Sequence, residues 1–255
     1  MEPRTTLPLD ILACIIDLLA DGDDRDIKTL QILSQACKSM VPLCRKHLFS
    51  FLCLSTKLKL ERFGNLISKN PDIARYVRGM RYIVYNPIGD HELNILDILK
   101  ERSSLQSIEL LSSAGLDWNS LPESIRSSFV FLFQLPTVTR LIIPNFKGFP
   151  ATALSRCSNL IDLRLSRLEI TPPEVNQAIS RSKIPTPVYL YTEKNAYDGL
   201  AVLSNYANLY AGGPIIDFSC LQKASFDVEY PGDIGHINEL IKVITQLRSL
   251  NITSE

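Results

Sequence analysis

The segment Asn159-Leu160-Ile161-Asp162-Leu163-Arg164-Leu165 sets an apolar residue, two variable positions, an apolar residue, one variable position and a last apolar residue in a row. The same spacing returns at Val77-Met80-Tyr82, Leu105-Ile108-Leu110, Val138-Leu141-Ile143, Leu221-Ala224-Phe226 and Leu247-Leu250-Ile252. Alternation over the last three positions is the signature of a strand with one buried face. Most intervals between the starts suit one strand plus one helix, the mark of a stacked repeat. The interval from Leu160 to Leu221 is double-length and predicts a hidden strand at Val188-Tyr189-Leu190-Tyr191, with Pro185 and Pro187 distorting its approach. Helical periodicity falls between the strands, at residues 91–100, 150–156, 172–181, 197–210 and 234–245.

On these residues the region resembles leucine-rich repeats, in their irregular form, although the Asn or Cys that usually closes the motif is missing from most units. The resemblance implies short strands stacking into a parallel sheet whose outward residues line a concave binding face. A plain α/β domain of non-repeating topology stays open as the alternative. The outward positions are the third and fifth of each unit: Gly79 and Arg81, Ser107 and Glu109, Arg140 and Ile142, Asp162 and Arg164, Lys223 and Ser225, Ser249 and Asn251. Arg140, Asp162 and Arg164 are expected to be near neighbours and are the candidate target-binding residues. Their mixed charges suggest a protein ligand.

Ahead of the repeats, residues 7 to 48 carry more apolar surface than a module of their size can bury. A first helix is expected from Pro8, whose fixed φ suits a helix start, to about Ala20, with Asp10 complementing the dipole. At the helical pitch, Ile11, Leu12, Ile15, Ile16, Leu18 and Leu19 cover an arc of about 160°. One buried stripe needs little more than about 100°. Asp26 is placed to cap a second helix with Ile27, Leu30, Leu33 and Cys37 as its apolar track, and Ser39 a third that runs to about Leu48 with Pro42 in its first turn.

The run Leu7-Pro8-x-Asp10-Ile11-Leu12-x-x-Ile15-Ile16, the acidic loop, then Ala36-Cys37-Lys38-Ser39 and Leu43-Cys44-Arg45-Lys46-His47-Leu48-Phe49 resembles the F-box in the style common among fungal F-box proteins. Met40 departs from it, standing where many relatives place a large aromatic. The resemblance implies a three-helix F-box over residues 1–50, followed by an irregular leucine-rich-repeat solenoid with a parallel sheet over 51–255, an α/β fold overall. It implies docking of a Skp-family adaptor and, through it, a cullin-RING ubiquitin ligase, with the repeat face holding an unknown protein substrate. Leu7, Pro8, Ile11, Leu12 and Ile15 are the expected adaptor-binding residues, aided by the third helix. An interaction scaffold that recruits no ligase has the same architecture, and an ordinary helical cap on a repeat domain is the bland alternative for residues 7–48.

Lys plus Arg equals Asp plus Glu at 27 each, so no basic field gathers phosphates, and neither nucleic acid nor an anionic membrane is an expected partner. No apolar stretch reaches the length of a membrane span, and the one near the amino terminus lacks a basic flank, so a cytoplasmic or nuclear location is expected. The six cysteines form no C-x-x-C pair and are expected to be reduced core residues. His47, His91 and His236 stand outside any nucleophile pattern, glycines are scattered, and the loop Asp21 to Asp26 lacks the terminal Glu of a calcium loop. Neither catalysis, a metal nor a cofactor is expected. Near residue 252 the last apolar triplet has no following unit to cover it, which predicts an edge strand at 247–252 beside a helix, and either truncation or a covering partner or second copy.

Overall fold

In a computed structural model, the described residues are 8–20, 24–36, 38–84, 90–112, 115–173, 183–193, 196–205 and 213–254. Helix α1 (Leu9–Ala20) begins one residue later than expected, because Pro8 stands outside it and its carbonyl accepts the N–H groups of Ile11 and Leu12. Helix α2 (Asp24–Ala36) starts two residues before Asp26, so that residue lies inside the first turn and is no N-cap. Helix α3 (Met40–Leu48) follows Ser39 as expected, but Ser39 has helical φ and ψ and makes no side-chain cap hydrogen bond. Pro42 falls in its first turn, where a missing N–H leaves no helix hydrogen bond unmade.

Beyond α3 the strands are β1 (Phe51–Leu54), β2 (Gly79–Val84), β3 (Ser107–Ser112), β4 (Leu116–Asp117), β5 (Arg140–Pro144), β6 (Phe146–Lys147), β7 (Phe149–Pro150), β8 (Asp162–Ser166), β9 (Ile170–Thr171), β10 (Tyr189–Glu193), β11 (Lys223–Val228) and β12 (Ser249–Ser254). The chain is thus mixed α/β with a large parallel sheet, ordered β1-β2-β3-β5-β8-β10-β11-β12, so each strand lies beside the one preceding it in the sheet. The two-residue strands pair separately, β4 with β6 and β7 with β9.

Register explains the spacing of the apolar residues. Leu52, Met80, Ile108, Leu141, Leu163, Leu190, Ala224 and Leu250 align in one row across the sheet. A slip of one residue in any strand would turn its apolar set to the opposite face, so burial holds the register. The hidden strand exists, one residue later than expected, with Leu190 inward and Tyr189 and Tyr191 outward. Strand β1 was not anticipated: Phe49-Leu52-Leu54 repeats the same spacing, but Phe49 also ends the helical run that precedes it.

The connections depart more from expectation. Helix α5 (Asp90–Arg102) and helix α8 (Pro231–Val243) lie close to the expected ones, and α7 (Tyr197–Ser204) covers the first part of 197–210. Residues 150–156 give only the single 3₁₀ turn Ala151–Ala153, and the helix expected at 172–181 falls almost wholly outside the described residues. Two helices are additional, α4 (Lys57–Lys69) and α6 (Glu123–Phe133). In α4, Thr56 accepts a hydrogen bond from the Lys59 N–H at 3.2 Å, and Leu60, Phe63, Gly64 and Ile67 are buried at helical spacing. In α6, aromatic and β-branched residues mask a track of Ile125, Phe129, Leu132 and Phe133 that is equally periodic.

Helices α4, α5 and α6 pack one on the next, as α7 does on α8, and the strand residues alternate between buried and open. All-parallel sheets ordinarily have both faces covered; here Arg81, Ile142 and Arg164, in one row across the sheet, keep access to solvent while Glu109 between them is buried. Phe146 and Leu168, three residues beyond the last apolar position of their units, are buried, and Phe146 and Phe149 both meet Trp118 edge-on, at ring distances of 5.9 and 4.9 Å. The chain leaves β5 and β8 through Asn145 and Arg167, both with positive φ, which turns it sharply into these buried positions. Among the described residues no helix is long and apolar enough to cross a membrane.

Candidate functional site

Two surfaces stand out, one on the amino-terminal helices and one on the open face of the sheet. Helices α1, α2 and α3 gather around Ile16, Leu30 and Cys44, with Leu19, Leu33, Met40, Leu43 and Leu48 half-buried around them. Asp17 ties α1 to α3 by an ion pair with Lys46 at 2.6 Å and a hydrogen bond with His47 at 2.8 Å. Those two bonds hold its carboxyl below the usual carboxylate range. Turning inward, Ile16 leaves Ile11, Ile15 and Leu18 on the opposite side at i, i+4 and i+7, all exposed, Leu18 to 76%. Of the expected adaptor-binding residues, Pro8, Ile11 and Ile15 are exposed, Leu12 is half-buried, and Leu7 lies outside the described residues. On the third helix Met40, Leu43 and Leu48 pack on the small core. Leu9, Leu18, Ile27 and Ile32 are further exposed apolar residues, beyond the expected site residues. Leu18 was legible from its helical spacing to Ile11.

The open face of the sheet brings the second set together. Asp162 Oδ2 lies 3.1 Å from Arg140 Nε and 3.2 Å from Arg164 Nη2, so the three expected target-binding residues form one cluster. Asp162 is the more covered member, its side chain 18% exposed against 39% and 41% for the arginines. The same arrangement recurs on β2 and β3, where Arg81 donates to Glu109 and the arginine again projects further. That hydrogen bond holds the Arg81 guanidinium more firmly protonated than usual. Toward β10, the Arg164 guanidinium lies over the Tyr191 ring at 5.9 Å, and Glu193 accepts hydrogen bonds from Tyr191 and Ser166 at 2.9 and 2.8 Å. The bond to Glu193 pushes the Tyr191 hydroxyl above its ordinary pKa. A groove of about 550 Å³ follows these residues, and Ile83, Leu111, Ile142 and Pro144 line it as well. Tyr191 and Glu193 were missed because β10 breaks the repeat spacing.

Among the described residues no group of three or more His, Cys, Asp or Glu side chains is arranged to hold a metal ion. Cys44 and Cys157 are core residues as expected, and burial pushes the Cys157 thiol up to about 12. The expectation fails for the others described: Cys14 is exposed on α1, Cys53 and Cys220 are half-buried, and Cys53 borders the groove. Cys37 lies outside the described residues. No protein family, curated protein or solved structure matches this chain.

Proposed function

We propose that this chain is a non-catalytic substrate receptor of a Skp-cullin-F-box ubiquitin ligase: residues 1–50 form an F-box that docks a Skp-family adaptor, and the remainder is an irregular leucine-rich-repeat solenoid that presents a target protein. The observation that carries the reading is the exposed Ile11, Ile15 and Leu18 stripe on a helical module whose buried core among the described residues is Ile16, Leu30 and Cys44. Contiguous exposed apolar side chains of this kind mark an interaction site. The sequential order of the parallel strands supports the repeat reading, and so does the row of inward residues from Leu52 to Leu250. Phe146 and Leu168 depart from it, replacing the usual side-chain ladder by apolar packing.

Co-purification of the full chain with a Skp-family adaptor tests the proposal. Ile11→Ala with Ile15→Ala is expected to cut affinity at least about tenfold, since two central anchors need cost only about 0.7 kcal/mol each to reach the roughly 1.4 kcal/mol of a tenfold change. Unchanged binding by a folded variant would remove the reading. Adaptor capture without a cullin in the same complex would favour a scaffold that recruits no ligase.

A further inference from the structure

The groove on the open face has two chemically distinct halves. Ile83 pairs in register with Leu111, and Ile142 and Pro144 line the same groove from β5, making an apolar patch that is half-open to solvent. Beside it the side chains of Arg81, Arg140 and Arg164 project beyond the acids they pair with, Glu109 and Asp162. The acids are tucked against the sheet, so the outermost charges on this half are guanidinium groups, whose remaining N–H donors suit a carboxylate in a bidentate fork. Neighbouring strands lie about 5 Å apart and each strand residue advances about 3.3 Å. From Leu111 on β3 to Arg164 on β8, two strands across and about two residues back, is then about 12 Å, the span of three or four extended residues.

We infer that the groove binds an extended protein segment carrying a large apolar side chain and, three or four residues away, a carboxylate. The apolar side chain fills the patch between Ile83, Leu111 and Ile142, and the carboxylate meets Arg140 and Arg164. This rests on the receptor reading only in treating the segment as part of a target.

Fluorescein-labelled peptide pools of about nine residues, titrated against the purified full chain, test the inference by anisotropy without any adaptor. Each pool fixes one Leu and, three residues on, Glu, Gln or Lys; a control pool has Ala in place of Leu. The Leu and Glu pool should bind about tenfold more tightly than the Gln pool, the gain of a charge-assisted hydrogen bond. Arg164→Glu should reverse the order so that Lys is preferred, and Leu111→Ser should erase the preference for Leu over Ala. If R164E does not fold, R164Q must abolish the preference for Glu. Equal binding of all pools, or a Glu preference that survives R164Q or R164E, overturns the inference. Because no adaptor is present, peptide selectivity with failed adaptor capture would leave the groove standing and remove the receptor reading, and the reverse result would do the opposite.

Discussion

Ile16 and Phe129 are both buried, yet they sit in different kinds of core. Ile16 has Leu30 and Cys44 as its fully buried companions and a ring of half-buried residues beyond them. Phe129 meets Tyr82 edge-on at 5.2 Å, stacks near Phe133 at 6.2 Å, and belongs to a continuous core that extends from Leu52 to Leu240. The strand region buries most of its apolar residues in that one core and leaves others, such as Phe131 and Ile252, exposed singly or at its edge, whereas the helical region leaves much of α1 outside. Small modules bury a smaller share of their surface than large ones; the location of the surplus is what separates a weak core from a docking face. Here Ile11, Ile15 and Leu18 line up on α1 away from Ile16, while Leu9, Ile27 and Ile32 lie exposed elsewhere on the module.

The largest effect should come from the larger core. Phe129→Ala is expected to cost about 3 to 5 kcal/mol, a substantial part of the 5 to 15 typical of a whole domain. Ile16→Ala should cost about 2 kcal/mol, near the low end for such a truncation because its half-buried neighbours can relax, and its effect should stay within residues 8–48. Urea unfolding of the two variants, with amide exchange read region by region, tests the contrast. Equal global losses, with protection falling together in both regions, would show one cooperative unit and break the distinction.

Next comes the α1 stripe. Ile11→Lys and Leu18→Lys should each change stability by no more than about 0.5 kcal/mol, as surface substitutions do, while weakening adaptor binding by at least about tenfold. A stability loss of about 2 kcal/mol would mean that these side chains are covered within the chain itself.

Strand register and the Arg140, Asp162 and Arg164 cluster were legible because a period-two apolar pattern fixes which residues point outward, whatever the details of the connections. Helices α4 and α6 were not, although Leu60, Phe63 and Ile67, or Ile125, Phe129 and Leu132, keep helical spacing. The run Phe129-Val130-Phe131-Leu132-Phe133 has strand-like composition, and its periodicity shows only once the smaller residues before it are counted. The groove was half legible. Its charged row follows from the repeat, but Tyr191 and Glu193 come from β10, where Pro187 and Thr192 stand in place of apolar repeat residues.

The strand region has an open boundary of its own at β12, where every residue is exposed, including Leu250 and Ile252 of the inward rows. The expected edge strand is present two residues later than expected, at Ser249–Ser254, and helix α8 packs on α7 and β11. An uncovered parallel edge offers unpaired backbone groups to a second chain. Leu250→Lys with Ile252→Lys is expected to suppress any concentration-dependent association of the purified chain, with less than about 1 kcal/mol of lost stability. Light scattering over a concentration series decides it. Association that persists unchanged in the double variant would move the contact elsewhere, with the α1 stripe the next surface to test.

The smallest effect concerns Asp17, and it sharpens the comparison because its bonds to Lys46 and His47 join α1 to α3 without touching the larger core. Its carboxyl in the folded chain titrates below the ordinary value of 3.8, held down by hydrogen bonds from Lys46 and His47. A depressed folded pKa means that the unfolded chain binds more protons as the medium acidifies, so stability rises with pH through that window. The contribution is therefore fully present above about pH 4 and is lost as the pH falls through the folded value. It is small, because the pair is open to solvent and screened. Asp17→Asn should leave the strand region's unfolding unchanged at every pH and flatten the acid dependence of the helical module alone. Amide exchange of residues 9–20 and 40–48 at pH 5 and at pH 3, wild type against variant, reads the difference. An equal flattening in residues 79–84 would show that acid sensitivity is shared across the two cores, and the regional separation drawn from Ile16 and Phe129 would fail with it.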